Sequence, residues 1–270
     1  MNFGDVSDRG LVLLGCGKMG GAMLKGWLAG GLDPACVHVI DPLPSEWLNN
    51  QGLNLNGTLP DAPAILVVAV KPQLMDAALP PVSGMGEGNT VVLSIVAGTT
   101  ISRFESAFGK DTPIIRSMPN TPAAVGQGIT ALVGNTNVSE AQLALAETLL
   151  SAVGKTIRLG DESQMDAVTA VSGSGPAYVF HLIETMAAAG EAQGLPAEIS
   201  MELALTTVAG AGALAEASSE DPSQLRVNVT SPNGTTQAAL EVLMDENAGF
   251  PSLVNRAVKA AADRSRELGQ

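Results

Sequence analysis

The chain has 270 residues, of which 46% are hydrophobic and only 3% are aromatic. This length suits one large or two moderate domains, and no apolar run approaches the ~20 residues of a membrane-spanning helix. Of the net charge of −13, residues 161–270 carry −10, with 5 basic and 15 acidic groups. The shortage of clustered Lys and Arg argues against a nucleic-acid partner.

The N-terminal residues and the cysteines set the expected compartment. No basic region precedes an apolar segment at the N-terminus, so we expect no secretion signal and a cytoplasmic location. Cys16 and Cys36 are too few for a disulfide framework or a zinc ribbon, and we expect no metal site.

Residues 1–161 alternate between strand-like and helical patterns. The strand-like runs are 10–14, 37–40, 65–70, 91–95, 114–117 and 129–133, and the helical patterns between them include 20–29, 74–79 and 140–152. Near-continuous apolar strands separated by helices are typical of a parallel sheet that helices cover on both faces. We therefore expect an α/β domain over residues 1–161.

Beyond residue 161 the pattern becomes almost entirely helical. The predicted helices are 165–193, 199–217, 223–228, 235–247 and 251–268. We expect an all-α domain over residues 162–270.

The first strand runs into residues 15–20, Gly-Cys-Gly-Lys-Met-Gly, which open a helix. Gly15 would permit the tight turn, Gly17 would let the backbone approach a pyrophosphate, and Gly20 would let helix and strand pack closely. With a strand before it and a helix after it, this motif predicts a dinucleotide site. The alternative is an ordinary glycine-rich turn.

Asp41 follows the second strand, 21 residues beyond Gly20, where its carboxylate could accept hydrogen bonds from an adenosine ribose. No Arg or Lys lies in residues 41–46 to bind a 2′-phosphate, so this placement favours NADH. An Asp that only opens the turn before Pro42 is the alternative. Lys18 could also reach a phosphate, so NADH and NADPH both stay open.

Three further strand ends carry residues that suit a cofactor cleft. Residues 69–73, Ala-Val-Lys-Pro-Gln, come at the end of one strand, and Ala97-Gly98 come after the next. Such strand ends line the cofactor cleft of a doubly wound sheet. Residues 116–122, Arg-Ser-Met-Pro-Asn-Thr-Pro, are too polar and Pro-rich for the core. We interpret them as a loop at the nicotinamide end.

The turn at residues 227–236, Val-Asn-Val-Thr-Ser-Pro-Asn-Gly-Thr-Thr, separates two helical patterns. Thr230 or Ser231 could cap a helix that begins near Pro232, which would leave the N–H groups of residues 233–236 free. Those donors and the helix dipole would bind a carboxylate. An ordinary capped helix start is the alternative.

Five motifs together carry a resemblance to a known family. They are residues 15–20, 69–73, 118–122, 166–178 and 229–236, and the last two are the most specific. In order and spacing they resemble the pyrroline-5-carboxylate reductases over nearly the whole chain. The resemblance implies a Rossmann-type doubly wound domain followed by a helical dimerisation domain that interlocks with a second subunit, often in rings of dimers. It also implies hydride transfer from NADH or NADPH to the C=N bond of 1-pyrroline-5-carboxylate, the last step of proline biosynthesis.

The resemblance and the motifs together give the predicted site. Thr236 would position the substrate, with no acid or base residue assigned. The predicted substrate-binding residues are Asn228, Ser231, Asn233, Gly234, Thr235, Thr236 and Met118. The predicted cofactor-binding residues are Gly15, Cys16, Gly17, Lys18, Met19, Gly20, Asp41, Asn56, Ala69, Val70, Lys71, Pro72, Ala97 and Gly98.

Two positions depart from the family pattern. The family commonly has Gly at the position of Asn233, and many members lack an acidic residue at the position of Asp41. Asn tolerates a left-handed backbone better than most residues, so the first departure is mild. The second bears on the choice between NADH and NADPH.

Other functions remain open. A hydroxyacid dehydrogenase of the same build would carry a Lys soon after a Gly-x-Gly pair, but Gly173-Ser-Gly175 is followed by Pro-Ala-Tyr-Val-Phe-His. Another imine reductase and a non-catalytic nucleotide-binding dimer are further alternatives. Tyr178 and His181 are the plausible proton donors of the second domain, and we expect both to be packing residues.

Overall fold

The computed structural model describes residues 3–87 and 89–269. The chain forms two compact units. The first comprises the chain up to Gly173 and again from Ala262, and the second is Ser174–Ala261. The predicted domain boundary at residues 161 and 162 stays a prediction.

The first unit contains an eight-stranded sheet. Its strands are β1 (Leu11–Leu14), β2 (Val37–Ile40), β3 (Asn54–Leu55), β4 (Ile65–Val68), β5 (Val91–Ser94), β6 (Ile114–Met118), β7 (Gly128–Gly134) and β8 (Gly154–Arg158). Its helices are α1 (Asp5–Arg9), α2 (Lys18–Ala29), α3 (Glu46–Asn49), α4 (Met75–Ala78), α5 (Ile101–Phe108), α6 (Glu140–Leu150) and α7 (Met165–Val168).

The strand order is β3-β2-β1-β4-β5-β6-β7-β8, and all neighbouring pairs are parallel except β6 and β7. The predicted parallel sheet is therefore confirmed with one difference, the antiparallel pair. Its cause is the connection over residues 119–127, which is shorter than the dozen or more residues that a parallel crossover needs.

The core of this unit lies on both faces of the sheet. Along β1, Leu11 and Leu13 pack into one cluster with Trp27 of α2, whereas Val12 and Leu14 pack into the other. The same alternation holds in β4. Because both faces are covered, the strands are apolar throughout, and the carboxyl edge of the sheet is where a ligand can approach.

Several short elements are absent from the predicted pattern. They are α1, α3, β3, α5 and β8. Strand β8 is largely exposed and carries polar residues, and β3 spans only two residues. Helix α5 is strongly amphipathic and is capped by Thr100, whose side chain accepts the Arg103 N–H at 3.4 Å.

The second unit is helical. Its elements are α8 (Gly175–Ala192), α9 (Ala197–Ala217), α10 (Pro222–Asn228), α11 (Thr235–Leu243) and the start of α12 (Phe250–Leu268). Helices α8 and α9 pack closely, since a β-carbon added to Gly190 would lie 2.9 Å from Ser200 Oγ.

The predicted single helix over residues 165–193 is wrong. Helix α7 ends at Val168 and passes into a π-helical turn, Thr169–Gly173. The hydroxyls of Thr169 and Ser172 donate to carbonyls four residues earlier, at 2.9 and 3.0 Å. Such bonds compete with the helical ladder, and Pro176 then favours a new helix start at α8.

The surface of the second unit is rich in exposed apolar side chains. Phe180 is 59% exposed, and α9 exposes Ile199, Leu203, Leu205 and Leu214. Apolar faces of this kind mark surfaces that another chain covers. No helix in residues 3–87 or 89–269 combines the length and apolarity that a bilayer crossing requires.

The prediction that His181 is a packing residue is wrong within this chain. Its side chain is 74% exposed, and Nδ1 lies 3.1 Å from Glu184 Oε2. The cause is that α8 is apolar almost all round, so its apolarity does not identify an inward face.

Candidate functional site

The predicted cofactor residues follow successive strands at one edge of the sheet. In sheet order Asn56 follows β3, Asp41 follows β2, Gly15 follows β1, Ala69 follows β4 and Ala97 lies beyond β5. Backbone bonds join the row: the Gly15 N–H donates to the Ile40 carbonyl, and the Ala69 N–H to the Leu14 carbonyl, both at 2.8 Å. The strand order reverses between β1 and β4, which is where dinucleotides bind in such sheets.

The three glycines of the first turn have distinct environments. Gly15 has φ +88°, and a β-carbon there would lie 2.9 Å from the Ala69 carbonyl oxygen. A β-carbon on Gly20 would lie 2.6 Å from the Gly15 carbonyl oxygen. Around Gly17 a β-carbon would meet no described atom within 4 Å. The first and third glycines are thus required by packing, and the second leaves open space for a ligand.

The amide groups that follow Gly17 complete this cradle. The first helical bond of α2 is donated by Gly21 to the Gly17 carbonyl at 2.8 Å, so the amides of Lys18, Met19 and Gly20 precede it. Such amides and the positive end of the helix dipole bind phosphate. The residues present therefore fit the pyrophosphate of a dinucleotide.

Asp41 is held rigidly beside this turn. Its Oδ2 accepts the Cys16 N–H and its Oδ1 accepts the Leu43 N–H, both at 2.8 Å. Asn56, with φ +50°, accepts the Asp41 N–H at 2.9 Å and donates Nδ2 to the Asp41 carbonyl at 2.8 Å. The turn contact with Leu43 agrees with the alternative that Asp41 opens a turn, yet each carboxylate oxygen retains a further acceptor position.

Cys16 belongs to the same glycine turn, and its thiol pKa is raised rather than lowered. Burial, together with the negative charge of Asp41, raises the pKa of Cys16 to about 11, although Lys25 acts in the opposite direction. Since a thiolate is the reactive form, Cys16 is unsuited to nucleophilic chemistry near neutral pH. Its place in the predicted site rests on its backbone.

Beyond β4, Lys71 is exposed and Pro72 opens a 3₁₀ turn over Pro72–Leu74. Met118 ends β6, and a β-carbon added to Gly173 would lie 2.7 Å from Met118 Cε. The predicted loop at residues 116–122 thus divides into the end of β6 and a 3₁₀ turn, Thr121–Val125.

The turn at residues 227–236 differs from its predicted form. Helix α11 begins at Thr235 rather than near Pro232, and its N-cap is Gly234. Neither Thr230 nor Ser231 caps it; the Thr230 hydroxyl instead donates to the Arg226 carbonyl at 2.6 Å. The cause is Asn233, whose φ of +57° cannot belong to a right-handed helix.

Two of the four predicted free amides have internal partners. The Asn233 N–H donates to Gln237 Oε1 at 2.8 Å, and the Gly234 N–H donates to the Ser231 carbonyl at 3.0 Å. The first helical bond, from Ala238 to Gly234, leaves the amides of Thr235, Thr236 and Gln237 before it. The donor group is therefore displaced toward the helix.

Asn228, another predicted substrate residue, forms side-chain hydrogen bonds just before this turn. Asn228 ends α10, donates Nδ2 to Glu220 Oε2 at 3.0 Å and accepts from Gln224 Nε2 at 2.8 Å. Gln237 was missed as a contributor to the turn. Its signal is the spacing of four residues from Asn233, which lets a long side chain reach back over one helical turn.

No metal site accompanies these residues. Within the described part of the chain, no three His, Cys, Asp or Glu side chains form a group suited to a metal ion.

The C-terminal region matches a family model described as pyrroline-5-carboxylate reductase dimerisation, over residues 162–268. This match supports self-association of the chain. The pyrroline-5-carboxylate reductase of Pseudomonas aeruginosa is 39% identical over 271 residues, covering 98% of each chain.

Solved structures agree with the family match. A pyrroline-5-carboxylate reductase from Coxiella burnetii is 33% identical, with a TM-score of 0.89 over 97% of this chain and 99% of that one. The Plasmodium falciparum enzyme with NADP bound is 30% identical, with a TM-score of 0.82 over 98% and 99%. The doubly wound Rossmann-type sheet followed by a helical region is thereby confirmed, and the chain belongs to the pyrroline-5-carboxylate reductase family.

Proposed function

We propose that this chain reduces the C=N bond of 1-pyrroline-5-carboxylate to give L-proline, the last step of proline biosynthesis. When bound, a reduced nicotinamide dinucleotide supplies the hydride. The observation that carries the proposal is that one chain holds two separate sets of helix amides suited to anions. One lies at the start of α2 beside the glycine turn, and the other lies at the start of α11.

The substrate carboxylate binds at the start of α11. The amides of Thr235 and Thr236 precede the first helical bond, and the Thr236 hydroxyl lies in the same turn. Neutral amides and the helix dipole favour a carboxylate without a basic side chain. This is consistent with a second half that contains no Lys between Lys155 and Lys259.

The protein contributes positioning rather than acid or base chemistry. A protonated cyclic imine is already a strong electrophile, so holding the two reactants in line can lower the barrier by up to about 7–11 kcal/mol. His181 faces outward and pairs with Glu184, and Tyr178 is assigned no proton transfer. Thr236 orients the carboxylate and thereby fixes the face of the imine.

The cofactor contacts are assigned to the row of strand ends. Amides after Gly17 hold the pyrophosphate, and Asp41 accepts the ribose hydroxyls. Two hydrogen bonds hold the Asp41 carboxylate and two more hold its backbone, so making room for a 2′-phosphate would break bonds, which favours NADH. The NADP seen in the Plasmodium relative keeps NADPH as the second possibility.

The working form is an interlocked dimer, with rings of dimers as the higher assembly, in the cytoplasm. Exposed apolar side chains on α8 and α9 support burial against a second copy. Size-exclusion chromatography with light scattering measures the assembly directly.

One rate assay separates the alternatives. Oxidation of NADH or NADPH is followed with pyrroline-5-carboxylate, and then with 3-oxoacids, semialdehydes and other cyclic imines. We expect turnover with the first substrate. Turnover only with oxoacids would indicate a hydroxyacid dehydrogenase, turnover only with other imines a different imine reductase, and none at all a nucleotide-binding dimer.

Thr236→Ala tests the substrate assignment. A hydrogen bond to a charged group contributes ~1.5–3 kcal/mol, so we expect the KM for the imine to rise about ten- to hundredfold. The Kd for the cofactor should stay nearly unchanged. Thr236→Ser retains the hydroxyl and is the matched control. An unchanged KM in Thr236→Ala would remove Thr236 from the site.

A further inference from the structure

The loop after β5 is fixed at both ends by side chains. The Val96 N–H donates to Ser94 Oγ at 3.1 Å, and the Ile101 N–H donates to Glu162 Oε1 at 2.9 Å. The same Glu162 oxygen accepts Arg116 Nη1 at 2.7 Å, and Arg116 is only 6% exposed. What these bonds do not restrain is the middle of the loop, Ala97–Gly98.

The middle of this loop lies against the end of the last helix. Gly98 has φ +70° and has no side chain to hold it in place. A β-carbon built on Gly98 would lie 3.6 Å from Leu268 Cβ, and one built on Gly269 would lie 3.2 Å from the Gly98 carbonyl oxygen. Leu268 is 64% exposed, so its position beside this loop is not set by burial in the core.

The end of α12 is itself anchored to the first unit. Ser265, which is 5% exposed, donates Oγ to Asp166 Oδ1 at 2.6 Å. Asp166 follows Met165, a residue of the core cluster on one face of the sheet. The Gly269 N–H donates to the Ser265 carbonyl at 3.1 Å. The bond from Ser265 to Asp166 therefore holds the last turn of α12 beside Gly98.

We propose that Ser265, Leu268 and Gly269 are positioning residues for the Ala97–Gly98 loop, and that the last turn of α12 thereby sets cofactor affinity. This inference rests on the proposed function, which assigns Ala97 and Gly98 to the cofactor. Strand β5 lies between β4 and β6, so the loop stands between Ala69 and Met118 in the row of strand ends. A small displacement of backbone at such a contact is costly, because binding geometry is exacting.

Two variants of the full enzyme test this inference. One is Ser265→Ala, and the other ends the chain after Glu267. The matched control is Arg264→Ala, an exposed residue of the same helical turn whose partner is Glu267. Titration of NADH and NADPH by fluorescence gives Kd, steady-state rates give the KM for cofactor and imine, and thermal unfolding gives Tm.

We expect both variants to raise the Kd and KM for the cofactor by about three- to tenfold, which lies within the roughly two- to thirtyfold effect of residues that act without touching the ligand. The imine KM and the Arg264→Ala parameters should stay unchanged. Unaltered cofactor Kd in Ser265→Ala and in the shortened chain would overturn the inference. So would a lower Tm and kcat with both KM values unchanged, since the helix end would then support only folding.

The failure of the proposed function is distinguishable from the failure of this inference. If the wild-type enzyme binds NADH but does not reduce the imine, the reductase assignment fails, while weaker NADH binding by the variants still supports the positioning role. If the shortened chain does not fold, Ser265→Ala alone decides the outcome.

Discussion

Alanine substitutions at Gly17 and Gly20 of the first turn should differ in their effect on stability, although both should weaken cofactor binding. Gly17→Ala adds a methyl group where no described atom lies within 4 Å, and its φ of −70° suits alanine. We expect the free energy of unfolding without cofactor to change by less than about 0.5 kcal/mol. Because the methyl group occupies the approach to the pyrophosphate, the cofactor Kd should rise at least about tenfold, or ~1.4 kcal/mol.

Gly20→Ala is the contrasting variant. Its β-carbon would lie 2.6 Å from the Gly15 carbonyl oxygen and 3.3 Å from Ala69 Cβ, so the turn or the helix must shift. Overpacking of this kind costs about 1–3 kcal/mol, which corresponds to a Tm lower by roughly 2–4 °C per kcal/mol in a chain of this size. Cofactor binding should weaken as well, because the amides of α2 move with the turn.

Thermal unfolding at fixed protomer concentration and fluorescence titration of NADH measure the two effects separately. Fixed concentration matters because self-association adds to the apparent stability. The reasoning would be refuted if Gly17→Ala lowered Tm as much as Gly20→Ala, or if it bound NADH as tightly as the wild type.

Two further predictions concern the neighbouring residues. Asp41→Ala should raise the Kd for NADH by about tenfold or more, as expected for the loss of a charged hydrogen bond, and should raise the Kd for NADPH less. Equal increases in the two Kd values would contradict the ribose assignment. Because burial and Asp41 raise the pKa of Cys16 to about 11, alkylation of Cys16 should be slow at pH 8, accelerate toward pH 11 and slow again when NADH is bound. Peptide mass mapping distinguishes Cys16 from Cys36, and a rate already maximal at pH 8 would exclude the raised pKa.

The sequence predicts those features of the fold that depend on local pattern. The glycine turn, Asp41 and the strand end at Ala69 could be placed because each directly follows a strand of four residues, and Ala97 could be placed because it lies three residues beyond another. The direction of β7 could not be predicted from its composition, since it depends on the length of the connection from β6.

The start of α11 could not be predicted from the sequence for a different reason. Ser, Thr and Pro before a helical pattern normally mark its first turn, but the left-handed backbone at Asn233 moves the start to Thr235. Contacts between distant segments were also beyond prediction. Neither the bond from Ser265 to Asp166 nor the packing of Leu268 beside Gly98 has any local signature.

The row of strand ends determines when, during folding, the chain can bind a dinucleotide. Asn56, Asp41, Gly15, Ala69 and Ala97 become neighbours only after five strands have paired out of chain order. A partly folded chain thus offers no complete dinucleotide pocket, and the nucleotide binds only finished protein. By mass action, bound nicotinamide dinucleotide then stabilises the folded enzyme against unfolding and against proteolysis of the unfolded chain.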